Sequence, residues 1–144
     1  VEGLGNRLGV VLFQLPPRWG FDEGRLADFL AALPRTVRCT FEFRDPGWHN
    51  DRCYALLERY NCASCIFELA GERSPFAVTA DFVYVRLHGP GGAYEGNYSG
   101  QALRAWADRL KAWIEQGHDV YCYFDNDQNA YAVSNARKLL AMMV

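Results

Sequence analysis

A chain of 144 residues, 50% hydrophobic and 22% charged, has enough apolar side chains for the core of one globular domain. Fifteen basic against seventeen acidic residues give a net charge of −2, which excludes a broad cationic surface for gripping a nucleic-acid backbone or an anionic membrane. No apolar run has the length of a membrane span and the opening VEGLGNRLG lacks the basic and apolar regions of a secretory signal, so a soluble, cytoplasmic chain is expected.

The first strand reads as VVLFQL, residues 10–15, and stops at Pro16 and Pro17. A helix follows with Leu26, Phe29, Leu30 and Leu33 on one stripe and Asp22 as its cap. VRCTFEF at 37–43 is the second strand; the next helix carries Cys53, Leu56, Leu57 and Tyr60 after Asn50 or Asp51. ASCIFE at 63–68 is the third strand, and residues 69–81 show no helical period and read as an irregular crossover loop. FVYVRLH at 82–88 is the fourth, followed by a helix with Leu103, Trp106, Ala107, Leu110 and Ile114 between Ser99 as cap and Gly117 as stop. DVYCYF at 119–124 is the fifth, and Ala132, Ala136, Leu139, Leu140 and Met143 mark the last helix.

Buried strands alternating with amphipathic helices imply an α/β fold, with a parallel sheet joined by right-handed crossovers. A dinucleotide-binding sheet calls for a glycine-rich turn after its first strand, where this chain has Pro16-Pro17, so a barrel is favoured and no nucleotide cofactor is expected. A complete eight-stranded barrel takes about 250 residues, so five strands with outer helices are expected to form a partial barrel, and the chain to be a fragment. Five cysteines is an odd number and Cys39 and Cys122 lie in apolar strands, which argues against a disulfide framework. Cys62 and Cys65 lack the second ligand pair that zinc requires.

Strand alternation puts Tyr84, Arg86 and His88 on one face and Val83, Val85 and Leu87 on the other. By the same rule Glu42 and Arg44 oppose Phe41 and Phe43, and Gln14 opposes Phe13 and Leu15. The apolar faces belong against the helices, and the polar ones line a site toward the strand C-termini, where parallel α/β folds bind ligands. On the third strand Ser64, Ile66 and Glu68 are the expected inner set; on the fifth, either Tyr121, Tyr123 and Asp125 or Cys122, Phe124 and Asn126 face in. Gly89, Gly91, Gly92 and Gly96 form a loop ending at a helix N-terminus, which suits an anion or, equally, a solvated turn. Trp48, Tyr94 and Tyr98 are candidate stacking surfaces, weighed against aromatics that cap the core. Asp125, Asn126 and Asp127 resemble an acidic metal cluster, although a capping turn explains them more simply, and the metal content stays open.

The stretches VLFQLPP (11–17), FEFRDPGW (41–48), YVRLHG (84–89), YEGNYS (94–99) and YFDND (123–127) resemble the YecE-like family, a domain of unknown function. The resemblance covers nearly the whole chain, residues 1–144 forming a single domain. It implies a TIM-like barrel with these five strands as the last five of eight, the first three lying outside this chain. Asp45 stands where a histidine is common in that family and Gly47 where a serine is.

The leading functional expectation is an acid/base enzyme, for instance a hydrolase, acting on a polar sugar-like or phosphate-bearing small molecule. Glu42 is the candidate base, nucleophile or metal ligand because the Arg44 cation favours its ionised form, and His88 is the candidate acid. Gln14, Arg44, Arg86, Trp48, Tyr94, Tyr98 and Asn126 are the candidate substrate-binding residues. Alternatives are a nuclease-like barrel, disfavoured by the charge balance and the scarcity of histidine, and a non-catalytic ligand-binding protein. Open sheet edges also predict self-association of the fragment.

Overall fold

In the computed structural model, which describes residues 2–144, the expected helices all form and side-chain caps explain where the first three start. Asp22 accepts from the Arg25 N–H at 3.0 Å at the head of α1 (Glu23–Ala32), Asn50 from the Cys53 N–H at the head of α2 (Asp51–Arg59), and Ser99 from the Ala102 N–H at the head of α3 (Gly100–Glu115). The last helix, α4 (Tyr131–Met143), has no such side-chain cap and follows two residues with positive φ, Asn129 and Ala130. The helical stripes are narrower than the sequence suggests. Phe29, Ile114 and Leu140 are exposed, and on α3 the larger Trp113 is buried in place of its neighbour Ile114.

The strands are β1 (Val11–Leu15), β2 (Cys39–Phe43), β3 (Ala63–Ser64), β4 (Ile66–Leu69), β5 (Glu72–Arg73), β6 (Phe82–Leu87) and β7 (Asp119–Phe124). Two features depart from the expected five parallel strands. The third strand is interrupted at Cys65, giving β3 and β4 in separate sheets. The crossover loop also begins with a hairpin, β4 pairing antiparallel with β5 across Ala70 and Gly71, whose φ values of 52° and 80° are the left-handed pair a two-residue turn requires. Alanine at the first of those positions is why the hairpin carried no sequence signal.

The chain packs as two compact units: the first runs to Cys65 and takes in Ala77–Asp81, the second comprises Ile66–Phe76 and Phe82–Val144. In the first, β1, β2 and β3 form a parallel sheet with Phe13 opposite Phe41 and Gln14 opposite Glu42. Phe41 and Phe43 pack with Leu26 and Leu30 of α1, Trp48, and Cys53 and Leu57 of α2, so this face of β2 is the one the helices cover. Each large apolar side chain fully buried there contributes about 1.5–3 kcal/mol.

In the second unit the sheet order is β5-β4-β6-β7, parallel except for the hairpin. Trp106 of α3 donates its indole N–H to Glu68 of β4 at 3.4 Å, which fixes the Glu68 face of this sheet as the helix side. Leu87 lies opposite Glu68 and Val85 opposite Ile66, so Val83, Val85 and Leu87 share that side and are buried, as the apolar phase of the sequence predicts. Tyr84 and Arg86 point the other way with Tyr121 and Tyr123, Tyr84 lying 5.1 Å from the Tyr123 ring. The inner set expected on the third strand is corrected in both units. Ser64 lies opposite the helix-facing Phe41 and Glu68 meets α3, whereas Cys65 reaches Glu42 and Phe67 lies opposite Arg86. No helix among the described residues is long and apolar enough to cross a membrane.

Candidate functional site

β6 and β7 run side by side, and their ladder continues one residue past the strands: the Asp125 N–H donates to the Leu87 carbonyl at 2.9 Å. This extension carries the Asp125 carboxylate to the end of β6, where Oδ2 lies 2.6 Å from the Arg86 guanidinium and 3.2 Å from His88 Nδ1. One carboxylate oxygen thus serves a cation and an imidazole. The side chains of Arg86 and Asp125 retain 17% and 27% of their exposure, while that of His88 is fully buried. Its ring meets Tyr94 edge-on at 5.3 Å and Phe67 at 6.5 Å. Of the two phases considered for the last strand, the one ending in Asp125 shares the Arg86 face.

The glycine loop is built against this group. The His88 N–H donates to the Glu68 carbonyl at 2.8 Å and the Ala70 N–H to the Gly89 carbonyl at 3.1 Å, tying the loop's first residues to the end of β4. Gly89 has φ +114°, and a Cβ there would overlap the Glu95 carbonyl oxygen and stand 2.8 Å from the Glu95 nitrogen, so only glycine fits. Its N–H donates to the Tyr98 hydroxyl at 3.1 Å. Tyr98 is buried, its ring edge-on to Phe124, and burial followed by the nearby Glu68 carboxylate pushes its phenol pKa well up. It is a structural post of the loop; the stacking role expected for it is corrected by this burial.

Asn126 is likewise fully buried, its amide N–H groups donating to the Gly96 carbonyl at 2.8 Å and to Asn135 Oδ1 at 2.9 Å. Asn135 accepts from the Tyr98 N–H and donates to Asn97, so these asparagines fasten the far side of the loop to α4. Asn126, expected to bind substrate, is thus buried and engaged in fastening the loop. Asp127 makes no capping bond through its side chain, and among the described residues no group of three His, Cys, Asp or Glu side chains could hold a metal.

The remaining candidates lie in the first unit. Glu42 is fully buried, ion-paired with Arg44, whose side chain is 9% exposed, and accepts from the Cys65 thiol at 3.7 Å. Gln14, opposite Glu42 on β1, is exposed. Trp48 is buried with its ring parallel to Phe43 at 4.7 Å and its indole N–H bonded to the Trp19 carbonyl, so it belongs to the core and the expected stacking surface is corrected. Asp45 caps the 3₁₀ turn Pro46–Trp48 by accepting from the Gly47 N–H at 2.9 Å. The five cysteines are free thiols. Burial pushes Cys53 up to about 12 and Cys62 up to about 11, and Cys122 in the second unit up to about 12, which keeps all three protonated at neutral pH.

Sequence reasoning brought Arg86, His88 and Tyr94 to one place and left Asp125 as one of two alternatives, naming Asn126 and not Asp125 as the binding residue. The available signal was its phase: Asp125 continues Tyr121 and Tyr123. Glu68, expected on the inner face, instead turns its carboxylate to the helix side, where Arg73 donates to it at 3.0 Å and 3.2 Å.

A family model described as "Protein of unknown function DUF72" matches residues 1–144, and the chain belongs to that family, for which YecE-like is another name. It is 26% identical over 165 residues to the UPF0759 protein YunF of Bacillus subtilis (strain 168), an alignment covering 96% of this chain and 58% of that one. Among solved structures it resembles a DUF72 family protein (TM1631) from Thermotoga maritima MSB8, with a TM-score of 0.84, 21% identity, and coverage of 96% of this chain and 58% of that one. A DUF72 family protein (EF0366) from Enterococcus faecalis V583 gives a TM-score of 0.77 at 15% identity, covering 92% and 57%. These structures share the α/β fold. The chain spans 58% of the length of the curated relative it matches.

Proposed function

We propose that this chain carries the strand-end site of an enzyme acting on a polar, phosphate-bearing or sugar-like small molecule, within a TIM-barrel-like fold of which these strands are a part. The observation that carries the reading is the Asp125 oxygen shared by Arg86 and His88 where two adjacent parallel strands end. The Asp125 carboxylate, 3.2 Å from Nδ1, orients the imidazole and leaves Nε2 as the atom that exchanges a proton with substrate. The guanidinium of Arg86 has five donors in a planar fork, so its contact with Asp125 is compatible with a second one to a substrate oxyanion. Glu42 keeps the part of Arg44's buried partner, and the proton transfer expected of it passes in this reading to the His88–Asp125 pair. Neither role requires a metal or a nucleotide cofactor.

Calorimetric titration with inorganic phosphate and with glucose 6-phosphate tests this. The wild-type protein is expected to bind at least one of them, and Arg86→Met to lose about tenfold or more in affinity while keeping its melting transition. Equal affinity in the two proteins, or no binding of either anion, would remove the anion-binding role.

A further inference from the structure

The group best suited to acid/base work is also the least accessible: His88 is fully buried, although Asp125 and Arg86 beside it reach solvent. Tyr94, whose ring lies edge-on to the imidazole, is nevertheless 48% exposed itself. It also has φ +66°, a left-handed backbone that L side chains other than Asn and Asp seldom adopt. A residue selected only to fill the core would be buried and unstrained. Tyr94 is a surface side chain laid over a buried imidazole.

The loop around it has firm ends and a lightly held tip. At one end Gly89 is locked by its contact with Glu95 and by the Tyr98 hydroxyl. At the other, Gly96 donates to Gln128 at 3.1 Å and accepts from Asn126 at 2.8 Å. Between them the backbone bonds are short-range, Glu95 N–H to the Gly92 carbonyl at 3.2 Å and Gly91 N–H to the Glu95 carbonyl at 3.4 Å. Gly91 and Gly92 precede Tyr94 and can absorb a change in dihedral angles at little cost.

We propose that Tyr94 is the lid of the His88 site: the tip from Gly91 to Tyr94 swings on these glycines while Glu95 stays against Gly89, lifting the tyrosine ring and opening His88 Nε2 to an anionic small molecule. The opening matters for catalysis only through the function proposed above, on which that part of the inference rests. The lid itself is a separate physical claim. Opening gives up one edge-on ring contact and the short-range bonds of the tip and releases the left-handed strain at Tyr94, so the two states lie close in free energy.

The test is carbethoxylation of histidine by diethyl pyrocarbonate, followed by peptide mass spectrometry, with the partly exposed His118 as internal reference. In the wild type His88 is expected to react more slowly than His118. Tyr94→Gly, which removes the ring and accepts φ +66° without strain, should raise the His88 rate about tenfold and leave His118 unchanged, whereas Tyr94→Phe should stay near wild type. Gly91→Ala, for which the structure has room, should stiffen the hinge and slow the His88 reaction with Tyr94 still in place. An unchanged His88 rate in Tyr94→Gly, or a Tyr94→Phe rate as high as that of Tyr94→Gly, would overturn the lid. Inorganic phosphate separates the two claims. Protection of His88 by phosphate in Tyr94→Gly supports both, whereas a lid-dependent rate that phosphate does not affect upholds the lid and counts against the anion-binding function.

Discussion

Glu42–Arg44 in the first unit and Arg86–Asp125 in the second join the same two chemical groups in opposite surroundings. Glu42 is fully buried and Arg44 nearly so, whereas Arg86 and Asp125 keep 17% and 27% of their side-chain exposure and share their contact with an imidazole. A carboxylate withdrawn from water depends on its cation, and losing that partner leaves an uncompensated buried charge. A pair whose side chains keep part of their exposure rehydrates more readily than a fully buried one, so it contributes less to stability and its groups can change partners. Burial therefore separates a charge pair that holds a fold from one that can serve a ligand.

The largest effect expected from this contrast is on stability in the first unit. Arg44→Met should cost roughly 3–5 kcal/mol in urea unfolding, whereas Arg86→Met should cost about 1 kcal/mol or less. Equal losses in the two variants would erase the distinction. Next in size, Gly89→Ala forces a side chain into the Glu95 backbone at a left-handed position and should destabilise by about 1–3 kcal/mol, with hydrogen exchange rising in the loop before it rises in β6. Tyr98→Phe removes the hydroxyl that accepts from Gly89 and should cost about 1–2 kcal/mol, again read first in the loop amides.

The first three of these effects concern features of unequal legibility in the sequence. The apolar phases of β2 and β6 and the caps Asp22, Asn50 and Ser99 were readable because each depends on neighbours close in sequence. Arg86 and His88 were visible as polar residues on a buried strand for the same reason. Asp125 was left open because its partner comes from a different strand, and a period of two gives the face but not the register. Trp48 and Tyr98 look like any surface aromatics in sequence. What buries them is distant contact, Phe43 stacking on one and Phe124 meeting the edge of the other. The phase of the third strand was misread because Ile66 and Glu68 have opposite polarity, and only Trp106 and Arg73 show why a carboxylate belongs on the helix side.

Two smaller effects of pH report on burial in the first unit. The thiols of Cys53 and Cys62 have folded pKa values of about 12 and about 11 against an ordinary 9.0, so their contribution is complete below pH 9 and is lost as pH rises toward those values. The urea midpoint should fall as pH rises from about 9 to about 11, and less so in Cys62→Ala. A midpoint that falls equally in both proteins would mean the thiol ionises freely in the fold. On the acid side, burial lowers the pKa of His49 below its ordinary 6.5, so its contribution is present above pH 6.5 and is lost as pH falls. His49→Asn should flatten the decline between pH 7 and 5, and a decline as steep as in the wild type would assign it elsewhere.

The central claim is that Arg86, His88 and Asp125 form a ligand site and that Glu42 and Arg44 form a structural pair. The most direct measurement follows the imidazole resonances of His88 by nuclear magnetic resonance while inorganic phosphate is added to the wild-type protein and to Arg86→Met. Saturable movement of the His88 signals in the wild type, absent in an Arg86→Met protein that remains folded, is the predicted result. Signals that stay still in both proteins, or move alike in both, would contradict it.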